Sequence, residues 1–242
     1  MVDNISSQLW KISLGMVSIY GPYKDFDVLN TYKNFWRKMR SGRITVTEDI
    51  LYGVPRTENR SAARNKIMSF LTDVFHINGT PDLMSRMDGF VKGSAVKREF
   101  DEKRRLYVSL PQKERFSLMD PQKQGERKAY QYMVIDRYYR ILPPSGILAY
   151  DIANYTNLCR LGTYIGCIKA EDMMSSLQGA ALMAQKNYKS FEEFGYAATI
   201  GLLFQAGKIG DKEYKDYFYG LNRVLMHKDS YWNNLDWNME LQ

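Results

Sequence analysis

Apolar residues recur at helical spacing along nearly the whole chain. In QLWKISLGMVSIY (8–20), Leu9, Ile12, Met16 and Ile19 fall on one stripe. Gly21-Pro22 ends it, since proline cannot continue the hydrogen-bond ladder. DFDVLNTYKNFWRKMRSG (25–42) places Val28, Leu29, Tyr32, Phe35, Trp36 and Met39 in the same manner, with a basic last turn suited to the negative end of a helix dipole. A short helix is predicted for TEDILYGV, closed by Pro55, and a longer one over 58–75 carrying Ile67, Phe70, Leu71 and Val74. DLMSRMDGFV makes one more short helix. Residues 94–110 alternate in charge and leave a thin stripe of Val96, Phe100, Tyr107 and Leu110.

Residues 111–126 carry two prolines, a glycine and little periodicity, which predicts a mobile connection between an N-terminal helical lobe (1–110) and a C-terminal bundle (127–242) within a single domain. The periodicity resumes through Tyr130, Met133, Val134, Arg137 and Ile141, and Pro143-Pro144 stops it. Helices are then predicted over about 147–164, 170–187, 190–206 and 211–227. Ser190 with Glu193 three residues on is a capping box, and Ala180, Ala181 and Ala184 would allow a neighbouring helix to approach closely. RITV (43–46) is the single short β-branched run. The class expected is all-α, an irregular helical bundle.

One spelling occurs three times: Gly-x-Ile-x-x-x-acid, as Gly42/Ile44/Glu48, Gly166/Ile168/Asp172 and Gly207/Ile209/Glu213. Glycine tolerates the positive φ of a helix C-terminus, the isoleucine folds back on the last turn, and the acid meets the next helix dipole. The pattern predicts helix–helix corners, each making an antiparallel pair. Glu171 and Asp172 could serve as a metal or acid–base pair, but neighbours on a helix point about 100° apart, which favours the dipole role.

Composition narrows the partners more than the fold. Net charge is +7, and between Lys92 and Arg140 there are 13 Lys/Arg against 7 Asp/Glu. A second cluster is Arg37, Lys38, Arg40 and Arg43, with Lys33 before it. Lys97, Arg98, Lys103, Arg104 and Arg105, with Tyr107 and Tyr130 as stacking platforms, would be the basis for nucleic-acid binding. Solvated faces are the plainer reading. The apolar runs are too short to cross a bilayer, and the N-terminus has no basic lead-in to an export signal. Cys159 and Cys167 suit a reducing, cytoplasmic setting. His76 and His227 lie far apart, and neither has an acid or a histidine four residues away on either side, so neither a metal nor a cofactor is expected. No phosphate loop or nucleophile elbow is spelled out.

The stretch from DIANYTNLCRLGTYIGCIKAEDMMSSL to YKSFEEFGYAATIGLLFQAGK resembles a bacterial family, domain of unknown function 1266. Asp151, Arg160, Gly162, Gly166, Ile168, Glu171, Ser190, Glu192, Glu193, Gly195 and Gly201 carry the resemblance, with Ser230, Trp232 and Trp237 at the end. Asn154 and Phe191 depart from the family pattern. The resemblance implies an all-α protein of the bacterial cytosol and implies no activity. Within it, Asp151, Arg160, Glu171, Glu192 and Glu193 are the polar candidates. Arg160 is expected to pair with Glu192 or Glu193, either as a structural ion pair or as part of a small-molecule pocket. The surplus of Tyr, Trp and Met favours a protein-interaction or regulatory module over an enzyme or toxin acting on nucleic acid or nucleotides through the basic segment 92–140.

Overall fold

The computed structural model describes residues 2–18, 25–208 and 210–241. Among these there is no strand, and the chain is all-α. The helices are α1 Val2–Ser13, α2 Asp25–Leu29, α3 Phe35–Arg40, α4 Glu48–Tyr52, α5 Arg60–Phe75, α6 Thr80–Val91 and α7 Ala95–Ser109. They continue with α8 Gln112–Leu118, α9 Pro121–Gln124, α10 Glu126–Tyr138, α11 Leu148–Tyr164, α12 Ala170–Asn187, α13 Phe191–Ala206 and α14 Asp211–Met226. Single 3₁₀ turns occupy Leu14–Val17 and Tyr231–Asn233.

α11 is the axle. Thirteen of its residues are buried, on all sides, because α6, α12, α13 and the Leu14–Val17 turn surround it. α13 crosses it at Gly201, where a Cβ would lie 2.4 Å from Cβ of Tyr150, so only glycine permits the approach. Buried apolar side chains from Leu9 to Trp237 form one contiguous cluster.

The glycines of the three corners have φ of +68°, +84° and +69° at Gly42, Gly166 and Gly207. At Gly166 the corner is as expected: Cys167 and Ile168 donate to the carbonyl of Gly162, the Ile168 side chain lies against that glycine, and α12 returns along α11. α13 and α14 also pack together across Gly207, while Ile209 and the side chain of Glu213 lie outside the described residues, as do Ile19, Gly21 and Pro22. The Gly42 corner differs. α3 is under two turns long, too short to offer a stripe, and α4 packs on α2 and α11 instead.

One further expectation changes. The 25–42 stripe is not one helix: Asn34 adopts φ +56° and splits it into α2 and α3, while Val28, Leu29, Phe35, Trp36 and Met39 remain buried. Residues 111–126 contain α8 and α9, the latter started by Asp120, whose carboxylate accepts from the amide of Gln122. Ser190 and Glu193 form their capping box: the Ser190 hydroxyl accepts from the Glu193 amide at 3.1 Å, and Glu193 accepts from the Lys189 amide at 2.6 Å.

The C-terminal segment docks on its own chain through all four indoles. Trp10 and Trp36 donate to the carbonyls of Asp236 and Asp229, while Trp232 and Trp237 donate to those of Ser13 and Tyr188. Phe191 fills the centre of this cluster, stacked on Trp232 and edge-on to Trp237.

Candidate functional site

Arg160 lies late in α11 with 3% of its side chain exposed. Its guanidinium makes a bidentate pair with Asp25 of α2, Nη2 to Oδ1 at 2.6 Å and Nη1 to Oδ2 at 3.1 Å. The remaining N–H groups donate to the carbonyls of Leu51 (2.7 Å), Ile50 (3.1 Å) and Ile12 (3.4 Å). Those carbonyls belong to the last turns of α4 and α1, where helix acceptors have no intrahelical partner. A guanidinium has five N–H donors, and all five are engaged. Burial opposes the charge on Arg160, and the pairing with Asp25 overrides it, raising its pKa above the ordinary value. Gly53 closes α4 with φ +71°, and a Cβ there would lie 2.9 Å from Arg160 Nη2. Arg160 thus fastens α1, α2 and α4 to the central helix. The expected pairing with Glu192 or Glu193 is replaced by Asp25, which is 135 residues away in sequence and left no local trace.

Asp151, near the start of the same helix, is fully buried. It accepts from the amide and hydroxyl of Ser94 at 2.8 and 2.6 Å. Ser94 in turn caps α7 by accepting from the Lys97 amide. Burial pushes the Asp151 carboxyl up to about 6, against the pull of the two Ser94 hydrogen bonds.

The other polar candidates are dispersed. Glu171 sits exposed in the first turn of α12, 3.8 Å from Lys169. Glu192 is exposed in the first turn of α13, and Glu193 serves the cap. Among the described residues no hydrogen bond or ion pair joins any two of Asp151, Arg160, Glu171, Glu192 and Glu193; each has its own surroundings. Also among the described residues, no group of three or more His, Cys, Asp or Glu comes together to hold a metal ion. Cys159 is a free thiol that burial pushes up to about 12, and Cys167 is free and half-buried.

A cleft of about 350 Å³ opens beside the Arg160–Asp25 pair. It is lined by Met16, Phe26, Tyr52 and Asn157 together with Asp216, Tyr219 and Arg223 of α14. Asp216 and Arg223 stand at i, i+7 on one stripe of the predicted 211–227 helix, yet nothing local ties them to Arg160.

The basic segment is rearranged by its own hydrogen bonds. Lys97 pairs with Asp101, and Lys103 with Glu99 and Gln131. Arg98 donates to the Gly93 carbonyl, and Arg104 to those of Tyr139, Leu142 and Pro143 at the end of α10. Arg105 is exposed. In the other cluster Arg37, Lys38, Arg40 and Arg43 are exposed, with Arg40 donating to Asn234 Oδ1. Three arginines outside the candidate set matter more. Arg115 of α8 lies over the Tyr107 ring at 4.9 Å, Arg140 lies over the Tyr139 ring at 5.4 Å, and Arg137 covers Tyr214 at 5.3 Å. Two adjoining clefts, of about 590 and 790 Å³, share Tyr139 and Arg140 as their common wall. Together they are lined by five arginines and two carboxylates, with Val108 and Phe116 exposed among them. Tyr107 is buried, with its hydroxyl on Asp136 and a guanidinium on its face, so it offers no stacking platform to a base.

No helix among the described residues is long and apolar enough to cross a membrane. Comparison with curated proteins and with solved structures gives no match. The profile of the family described as "Protein of unknown function (DUF1266)" matches residues 71–237, which takes in α11 with Asp151 and Arg160 and leaves Asp25 upstream. With well over half of its length matched, the chain belongs to the DUF1266 family.

Proposed function

We propose that this protein is a non-enzymatic protein-interaction module of the bacterial cytoplasm, and that it docks an acidic partner on the face built by α7, α8 and the end of α10. The observation that carries this is the pair of adjoining clefts with five arginines against two carboxylates and with apolar Val108 and Phe116 exposed between them. Arginine and tyrosine with apolar anchors are the composition of interface centres, and the charge excess selects an acidic partner. Arg105 is exposed, and Arg137 and Arg140 rest on tyrosine rings with no carboxylate partner among the described residues, so all three retain donors for that partner. The saturated guanidinium of Arg160 favours a structural role there and shifts attention to this surface. Two free thiols support a reducing compartment.

Selection of short displayed peptides on the immobilised protein tests the reading. Enriched peptides should combine acidic residues with an apolar anchor, and their binding should be lost in Arg105→Glu/Arg137→Glu/Arg140→Glu. Enrichment without acidity, or binding that survives the triple substitution, refutes it. A random single-stranded oligonucleotide is the competing probe. Tight binding with a steep salt slope, abolished by the same substitutions, would replace a protein partner by nucleic acid.

A further inference from the structure

The cleft beside Arg160 has an unusual charge arrangement. Its floor holds the Arg160–Asp25 pair, which cancels internally and has no N–H to spare. Two other charges line it, both from α14. Arg223 lies 4.4 Å over the Phe26 ring, held by the face of an aromatic, with no carboxylate partner among the described residues. Asp216 has no cationic partner among them either. Seven residues apart, the two occupy one stripe of the helix about 10 Å apart along its axis. Tyr219 and Gly220 lie between them on the same wall.

We propose that this cleft binds a short peptide or another zwitterion of that length, its carboxylate on Arg223 and its ammonium near Asp216. Charge balance selects the class. A simple anion would leave Asp216 facing it unmatched, a simple cation would do the same to Arg223, and a zwitterion matches both. Length selects the size: three extended residues span about 10 Å. The volume of about 350 Å³ lies in the range of small-molecule sites, and Met16 with Phe26 supplies an apolar wall for the body of the ligand. It shares no residue with the arginine–tyrosine face, so neither proposal depends on the other.

Isothermal titration of the full chain with trialanine, N-acetyl-trialanine and trialanine amide is the test. Trialanine should bind, and each blocked form should bind at least about tenfold more weakly. Arg223→Met and Asp216→Asn should each weaken trialanine by a similar factor, with Asp216→Asn leaving the N-acetyl form unchanged. Arg223→Lys keeps the charge and should retain most of the affinity, which separates loss of the site from loss of the fold. Absence of trialanine binding to the wild-type chain overturns the proposal. So does equal binding of the amide, or affinity indifferent to both substitutions.

Discussion

Replacing Arg160 with methionine removes a buried guanidinium while keeping most of the side-chain volume. The change leaves the Asp25 carboxylate, 7% exposed, without its cation, and leaves the carbonyls of Ile12, Ile50 and Leu51 without their donors. Breaking one side of a buried ion pair costs about 3–5 kcal/mol, because the surviving charge stays desolvated. The three carbonyls can add to this, so a loss of about 4–5 kcal/mol is expected, a large share of the roughly 5–15 kcal/mol that holds a typical domain folded. Urea unfolding at neutral pH, followed by tryptophan fluorescence, reads the loss as a shift in midpoint at constant slope. Two companions keep the result interpretable. Arg160→Lys retains the charge but cannot serve five acceptors, and should lose about 2 kcal/mol. Arg160→Met/Asp25→Leu removes both charges and should recover at least about 1 kcal/mol relative to Arg160→Met alone. If Arg160→Met costs under about 1 kcal/mol, or if the double substitution recovers nothing, the guanidinium is not the fastening we describe.

The Asp151 carboxyl, raised from 3.8 to about 6 by burial, binds its proton more tightly in the folded chain. Its contribution to stability is therefore fully present below about pH 4 and is lost as pH rises through 6, up to about 3 kcal/mol. Asp151→Asn should gain on the wild type over that interval in urea midpoints, and a flat or reversed difference refutes the assignment. Tyr231 buries a hydroxyl that has no hydrogen-bond partner among the described residues, so Tyr231→Phe should be neutral or stabilising by up to about 1 kcal/mol; clear destabilisation in the same assay would reveal a partner. An aromatic disulfide reagent should label Cys167 in the native protein and spare Cys159, and equal rates at both would contradict the burial of Cys159. If the lobe and the bundle are a single folding unit, far-UV circular dichroism and fluorescence should report coincident urea transitions, and two separated midpoints would divide the chain.

The local grammar of this protein is readable from the residues. Many stripe positions at helical spacing became buried, such as Leu9, Ile12, Ile67, Leu71, Phe100 and Tyr107, and Ser190 with Glu193 became a capping box. Val74, Met133 and Ile141 are exposed, and α10 turns Tyr132, Ile135 and Tyr138 inward instead. Gly42, Gly166 and Gly207 took the positive φ that their position after a helix demands. These outcomes follow from sterics and hydrogen bonds acting within a few residues, so a window of sequence contains their causes. Chain ends of the stripes were less legible, as at Asn34, where one residue in the left-handed region splits a continuous pattern into two helices. What a charged residue does was decided elsewhere. Arg160 found Asp25 and three helix ends, Lys97 and Lys103 found acids one turn away, and Arg137, Arg140 and Arg223 came to rest on aromatic rings. A guanidinium or carboxylate acts over a few ångströms, whereas its partner can stand more than a hundred residues along the chain. Only the packing of α11 against its neighbours sets which of them meet, and with that, which charges are absorbed by the fold and which are left exposed.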